Sequence, residues 1–248
     1  MKLFGLVGRG ISHSYSPNFF KKKFADIGLD ADYQLFELKQ VDELPELIES
    51  QPDLWGLNVT IPYKRMVSPL LDFIDVSASY TGSVNTIKIE RTPTGTLLKG
   101  FNTDIVGFEH SLLPLIRSRK SIKALVLGTG GSSRAVAYVL RKFGVFFYHV
   151  TRSPQKIHQM GYHWMDADVM NDFHLIINTT PLGMTPYIDS FPDIPYHLLT
   201  RNHILFDLVY NPEETAFLKK GKGQGASTMG GLQMLSAQAE ASWKIWKR

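Results

Sequence analysis

The chain has 248 residues, 44% of them hydrophobic, a formal charge of +4 and no cysteine. That length holds one large domain or two of moderate size, two being the better starting expectation. The absence of cysteine excludes disulfides, thiolate metal sites and a cysteine nucleophile, and permits a reducing compartment.

The apolar run in the opening MKLFGLVGRG is too short for the core of a signal peptide, and no run approaches the ~20 apolar residues that cross a bilayer, so a cytoplasmic protein is expected. KLFGLV (2–7) reads as a buried strand. SPNFFKKKFADIG then predicts a helix with Ser16 as N-cap, Pro17 at the first helical position and Gly28 as its stop. ADYQLFEL (31–38) has strand character, DELPELIES (42–50) reads as a short helix and LWGLNVT (54–60) as a strand again. This strand runs into Lys64, which is either a surface residue trailing the core or a cation held at a cleft. SVNTIKIE (83–90) and GTLLKGF (95–101) flank RTPT like a hairpin, which predicts an antiparallel element on an otherwise parallel sheet. NTDIVGFEHSLLPLI predicts a helix starting near Asn102 or Thr103, with Asp104 where the helix N-terminus stabilises an anion. RSRKS (117–121) reads as a polar linker.

Past the linker, residues 122–153 form a compact βαβ pattern: strand 122–127, a glycine turn, helix 131–143, Gly144 as a stop and strand 145–150. HLIINTT (174–180) and HILFDLVY (203–210) are further strand-like runs, and the alternation predicts a parallel, doubly wound sheet. The closing GGLQMLSAQAEASWKIWKR is an amphipathic helix with Leu232, Leu235, Ala239, Trp243 and Trp246 on one face. Its docking site is not set by the pattern.

GTGGSSRA (128–135) departs from the usual GxGxxG in carrying Ala135 at the third small position and in one spacing. It follows an apolar strand and opens a helix, where backbone N–H groups and the helix dipole meet a pyrophosphate; a bare strand-to-helix turn is the competing reading. An NAD enzyme would carry Asp or Glu at the end of the second strand. This chain has His149-Val150-Thr151-Arg152-Ser153 there, and a guanidinium suits a 2′-phosphate, so NADP is expected over NAD. The bland alternative has Arg152 capping a helix or facing solvent.

The basic runs at Lys21-Lys22-Lys23, Arg117 to Lys120 and Lys219 to Lys222 lie in separate segments without interleaved aromatics, which favours solvated surface over nucleic-acid binding. A mild positive field still suits an anionic small molecule. The eight histidines are scattered without ligand spacing, so no metal site is expected and hydride transfer to or from a secondary alcohol would need a side-chain acid or base. Lys64 and Asp104 are candidates, although pattern alone does not bring them together.

SHSYSP (12–17), NVTIPYK (58–64), GSVNT (82–86), GFNTD (100–104), GTGGSSRA (128–135), NTTPLGM (178–184), DLVYNPEET (207–215) and GGLQMLSAQ (230–238) occur in this order over nearly the whole chain. In these motifs the sequence resembles the shikimate dehydrogenase family. The resemblance implies an α/β fold of two domains: an N-terminal α/β substrate domain (1–103 plus 230–248, the C-terminal helix returning to it) and a doubly wound, Rossmann-like NADP domain (104–229), facing each other across a cleft. It implies reversible NADPH-dependent reduction of 3-dehydroshikimate to shikimate in aromatic amino-acid biosynthesis, with Lys64 and Asp104 as the catalytic pair. Which of the two carries the proton stays open. By the same resemblance Ser14, Ser16 and Tyr210 hold the substrate carboxylate, and Thr60, Asn85 and Gln238 surround its hydroxyls. Gly128, Gly130 and Gly131 form the pyrophosphate turn, Arg152 binds the phosphate, and Gly230 and Met234 lie near the nicotinamide.

Each assignment has a plainer rival: Ser16 as an ordinary N-cap, Asn85 as a structural amide in a hairpin, Tyr210 as core with its hydroxyl satisfied by backbone. The family's Asn-Arg-Thr after the second nucleotide strand is Thr151-Arg152-Ser153 here, and the segment 154–173 is short, which leaves the adenine side least defined. The rival functions are a quinate/shikimate dehydrogenase with relaxed cofactor use and a non-catalytic shikimate-binding paralogue. Expected partners are small molecules, with no nucleic acid and no membrane, in a monomer or homodimer.

Overall fold

The computed structural model describes residues 1–117 and 121–248. Ser118, Arg119 and Lys120, part of the predicted linker and of one basic run, lie outside the described residues. The chain forms two compact units, Met1–Val106 with Ser236–Arg248, and Gly107–Leu235.

The first unit is built on a six-stranded sheet. Its strands are β1 (Lys2–Gly8), β2 (Ala31–Glu37), β3 (Leu54–Val59), β4 (Phe73–Ile74), β5 (Thr86–Thr92) and β6 (Gly95–Phe101), in the order β2-β1-β3-β5-β6-β4. β1 pairs in parallel with both β2 and β3. β5 then runs antiparallel to β3 and to β6, as the hairpin signal around RTPT requires. β1 and β3 are apolar almost without interruption because both faces of the sheet are covered. On one face Leu44 and Ile48 of α2 (Leu44–Ser50) pack with Leu57, Val59 and Ile87. The other face is an aromatic cluster: Phe4, Phe20, Phe24, Tyr33 and Trp246, contributed by the sheet, by α1 (Ser16–Asp26) and by the last helix, α8 (Leu232–Trp246). Trp246 stacks on Phe4 with ring centroids 5.0 Å apart and donates its indole N–H to the Ile87 carbonyl at 2.9 Å. Gly56 makes this fit possible, since a Cβ there would be driven into the Trp246 indole.

Ser16 is not the N-cap of α1. Tyr15 takes that position, without a side-chain cap, and the Ser14 hydroxyl accepts the Ser16 N–H at 3.3 Å. Gly28 does adopt the left-handed conformation, φ +63°, that closes such a helix. β4 and α3 (Val76–Thr81) are too short to carry a sequence signal; Asp75 caps α3 by accepting from the Ser77 N–H at 3.0 Å.

In the second unit every strand pairing is parallel. β7 (Lys123–Leu127), β8 (Phe146–Thr151), β9 (Gln159–Gly161), β10 (Leu175–Asn178), β11 (Ile204–Asp207) and β12 (Ser227–Met229) are ordered β12-β11-β10-β7-β8-β9. This is the doubly wound order, with the direction of winding reversed between β7 and β10. The central strands bury Leu125, Leu127, Ile176 and Leu205 completely. α4 (Asp104–Ile116) crosses the division of the chain at its first turn, and α5 (Gly131–Lys142), α6 (Ala167–Asp172) and α7 (Ala216–Gly223) complete the unit. Residues 152–158 carry the chain from β8 to the three-residue β9 with no helix between them. A parallel crossover usually takes a dozen or more residues, so this edge of the sheet is abbreviated.

Among the described residues no helix is long and apolar enough to cross a membrane. Four lysines of the basic runs pair with acids: Lys21 with Asp32 at 3.2 Å, Lys22 with Asp26 at 3.1 Å, Lys23 with Glu240 at 2.7 Å and Lys222 with Glu214 at 3.2 Å.

Candidate active site

Strand direction alone gathers the candidate residues of the first unit. β1 and β3 are parallel neighbours, so the loops that leave them, carrying Ser14 and Ser16 after one and Thr60 and Lys64 after the other, start at the same edge of the sheet. β5 is antiparallel to β3 with Thr86 opposite Asn58, which brings Asn85 to that edge as the strand begins. β6 returns antiparallel to β5 with Phe101 opposite Thr86, which delivers Asn102, Thr103 and Asp104 there as it ends.

Lys64 Nζ lies 2.6 Å from Asp104 Oδ2, with 14% of the lysine side chain and 7% of the aspartate side chain exposed. The other carboxylate oxygen, Oδ1, accepts from Asn85 Nδ2 at 2.8 Å. The Asn85 amide cannot turn over: its Oδ1 accepts from the Thr103 N–H at 2.7 Å, and a backbone N–H can only donate. Asn85 Nδ2 also lies 3.3 Å from Gln238 Oε1, which Thr103 Oγ1 approaches at 3.2 Å. Gln238 therefore turns its oxygen toward these two residues, leaving its NH2 group to face away from them. Lys64, Asn85, Asp104 and Gln238 thus form one hydrogen-bonded group within the first unit. Behind it lie Thr86, Thr103, Asn58 and Ser242, all buried and none of them a site candidate from the sequence alone. Ser14 and Ser16 sit at the N-terminus of α1, where helix polarity favours an anion, and the Ser16 hydroxyl is not consumed by capping.

Gly128, Gly130, Gly131, Arg152, Tyr210, Gly230 and Met234 belong to the second unit. Gly128 has φ +107°, and a Cβ on it would approach Thr179 Oγ1 to 2.9 Å, so the turn leaves β7 pressed against the end of β10 at the point where the winding reverses. Gly130 occupies the N-cap position of α5, and a Cβ on it would meet nothing within 4 Å. That open space beside a helix N-terminus fits a dinucleotide pyrophosphate. Arg152 is exposed at the end of β8 and makes no hydrogen bond or ion pair with the other described residues; no acid accompanies it in residues 149–153. His149 Nδ1 lies 3.0 Å from the Gly128 carbonyl, so that nitrogen carries the proton and braces the turn. Burial of the ring, reinforced by Arg141 and Arg134, pulls the His149 pKa down and keeps the imidazole neutral.

Asn178 and Asp207 tie β10 to β11 behind the loops that follow them. Asn178 Nδ2 donates to Asp207 Oδ1 at 2.9 Å, and Asp207 also accepts from Thr215 Oγ1 at 2.6 Å and from the Val209 N–H at 3.0 Å. Despite these donors, burial pushes the Asp207 carboxyl up to about 6. Tyr210 follows on the same segment and is half-buried; Met234 is buried and Gly230 half-buried.

A doubly wound unit with an open glycine turn, together with a second α/β unit that shelters a lysine–carboxylate pair, defines a dinucleotide-dependent oxidoreductase. Residues 6–87 match the family model of the shikimate dehydrogenase substrate binding domain. The NADP(+) shikimate dehydrogenase of Halothermothrix orenii is 38% identical over 98% of this chain and 89% of its own. The crystal structure of shikimate 5-dehydrogenase from Thermus thermophilus in complex with NADP(H) and shikimate superposes with a TM-score of 0.84 at 28% identity, over 99% of this chain and 93% of that one. A quinate dehydrogenase from Corynebacterium glutamicum in complex with NAD gives 0.85 at 27% identity, over 99% and 93%. The chain belongs to the shikimate dehydrogenase family.

Proposed function

We propose that the protein catalyses the reversible NADPH-dependent reduction of 3-dehydroshikimate to shikimate, with the first unit as substrate domain and the second as NADP domain. The 2.6 Å contact between Lys64 and Asp104 carries this reading. An ammonium group can donate three hydrogen bonds, so its contact with Asp104 is compatible with donation to an oxygen of the substrate. Bound NADPH would supply the hydride to the carbonyl carbon. Lys64 donates a proton to the oxygen as negative charge builds on it, and takes that proton back in the oxidative direction. Asp104, held at both oxygens, fixes the lysine and accepts from a neighbouring substrate hydroxyl. Gln238 offers N–H, and Thr60 its hydroxyl, to the remaining substrate oxygens. Ser14 and Ser16 with the start of α1, assisted by Tyr210, hold the substrate carboxylate.

Gly128, Gly130 and Gly131 would receive the cofactor pyrophosphate, Arg152 its 2′-phosphate, and Gly230 and Met234 would border the nicotinamide. NADP is favoured over NAD because a guanidinium, with no acid beside it, follows β8. The protein acts in the cytoplasm on small molecules alone, as a monomer or homodimer. The test is the absorbance of the reduced cofactor, NADPH or NADH, with shikimate or quinate against NADP+ or NAD+. Turnover of shikimate with NADP+ at the highest kcat/KM is expected. Preference for quinate with NAD+ would favour the quinate dehydrogenase reading, and ligand binding without turnover would leave only a binding protein.

A further inference from the structure

We infer that Ser242 is a positioning residue for the Lys64–Asp104 pair, acting from α8 through a buried chain of hydroxyls that ends on the Asn85 amide. The inference rests on the reaction proposed above. Ser242 is fully buried one turn beyond Gln238. Its Oγ lies 2.9 Å from Asn58 Nδ2, 2.8 Å from Thr86 Oγ1, 3.1 Å from Thr103 Oγ1 and 3.1 Å from the Gln238 carbonyl.

The polarity of this cluster is set at both ends. Asn58 Nδ2 also points at the Asn85 carbonyl, 3.2 Å away, and Asn58 Oδ1 accepts from the Tyr33 hydroxyl at 2.9 Å. The Asn58 amide is thereby fixed with its N–H toward Ser242, so Ser242 accepts there. At the far end Asn85 Oδ1 and Gln238 Oε1 can only accept, and Thr103 Oγ1 lies 3.1 Å and 3.2 Å from them. Thr86 Oγ1, 3.2 Å from Asn85 Oδ1 and 3.0 Å from Thr103 Oγ1, bridges the same groups. Asn58 Nδ2 donates into Ser242 and, at 3.2 Å, into Thr86 Oγ1. The single Ser242 proton serves the Gln238 carbonyl or one of the threonines, and the two threonine hydroxyls join Ser242 to Asn85 Oδ1 and Gln238 Oε1. Asn85 in turn holds Asp104 Oδ1. Thr86, Thr103 and Ser242 are all at most 1% exposed, so a missing hydroxyl here is not replaced by bulk solvent.

Alanine at 242 removes the hydroxyl and little else. For the loss of one neutral hydrogen bond that orients the site, kcat for shikimate oxidation with NADP+ should fall about 3- to 15-fold, with KM changing less than kcat. A role confined to packing would lower the melting temperature and leave kcat alone. The decisive comparison is Ser242→Ala in the wild-type and Asn85→Ala backgrounds. If the hydroxyls act on the catalytic pair through Asn85, the second background loses less than about twofold on adding Ser242→Ala, the ordinary limit of additivity. An unchanged kcat in the wild-type background, or an equal loss in both, overturns the inference. If the alanine variant fails to fold, Ser242→Cys, similar in volume and a weak donor, carries the same comparison with the same expected sign. No turnover by the unsubstituted chain would overturn both this inference and the proposed reaction; normal turnover that ignores residue 242 overturns the inference alone.

Discussion

Asn85 donates to Asp104 Oδ1 at 2.8 Å from an amide whose other end is fixed by the Thr103 N–H. The carboxylate is thus held from the side opposite Lys64, which explains how a side chain at the first position of a helix keeps one orientation. Asn85→Asp would replace that donor by an oxygen facing another carboxylate, and two carboxylates at such a distance cannot both ionise. The expected result is a ~10- to 100-fold loss of kcat, the range for a lost hydrogen bond to a charged group. Steady-state kinetics checks it, with circular dichroism to show that the fold persists; kcat within a factor of two of wild type would refute the role assigned to Asn85.

Lys64→Ala removes the proposed proton donor but none of the proposed contacts to the substrate carboxylate. General acid–base catalysis contributes ~10²- to 10⁴-fold, so kcat should fall by about that factor. Calorimetric binding of shikimate should remain within about tenfold of wild type. Near-normal turnover would exclude the role.

The sequence showed these two residues as candidates for different reasons. Lys64 follows an apolar run that ends in Asn58 and Thr60, and Asp104 precedes an apolar helix; both are local patterns. Their meeting depends on the reversal of direction between β3 and β5, a pairing that no local pattern states. Ser242 was illegible because a serine among Ala241 and Trp243 reads as an ordinary helical position. Its burial follows from how α8 rotates to insert Trp246 against Phe4. In the second unit β7, α5 and β8 were plain from their apolar runs and glycine stops. The short α6, α7, β9 and β12 were not, since three to eight residues carry too little periodicity to distinguish them from loops.

Arg152 tests the cofactor assignment without touching the chemistry. It is exposed and unpaired among the described residues, so Arg152→Ala should leave the melting temperature within about a degree or two, as for an ordinary surface substitution. Loss of a charge-assisted contact to a 2′-phosphate should lower kcat/KM for NADP+ by ~10- to 100-fold. The value with NAD+ should hardly move. Equal losses with both cofactors would show that Arg152 does not read the phosphate.

Gly56→Ala tests the seat of the last helix. The added methyl meets a rigid indole held by its hydrogen bond to Ile87, so relief requires the helix to shift. Overpacking of this kind costs ~1–3 kcal/mol, measurable by urea unfolding. Because Gln238 and Ser242 ride on the same helix, kcat should fall as well. A variant as stable as wild type would mean that the indole yields freely.

Asp207 gives the stability of the protein a pH dependence of unusual sign. Its carboxyl is pushed from an ordinary 3.8 up to about 6 by burial, so between these values the folded chain binds more protons than the unfolded one. Stability contributed by this group is therefore full below the unfolded value, falls as pH rises, and is lost once the folded value is passed. A difference of about two pH units corresponds to ~3 kcal/mol. Asparagine retains the acceptor for Asn178 Nδ2 and the Val209 N–H, and the Thr215 hydroxyl can turn to accept from its NH2. Asp207→Asn should thus be more stable than wild type at pH 7 to 8 by up to ~3 kcal/mol, with the gap closing toward pH 4. Urea unfolding of both proteins across that range reads the gap directly. A gap that does not vary with pH, or a wild type that is the more stable at pH 8, would show that the Asp207 carboxylate is ionised in the fold without cost.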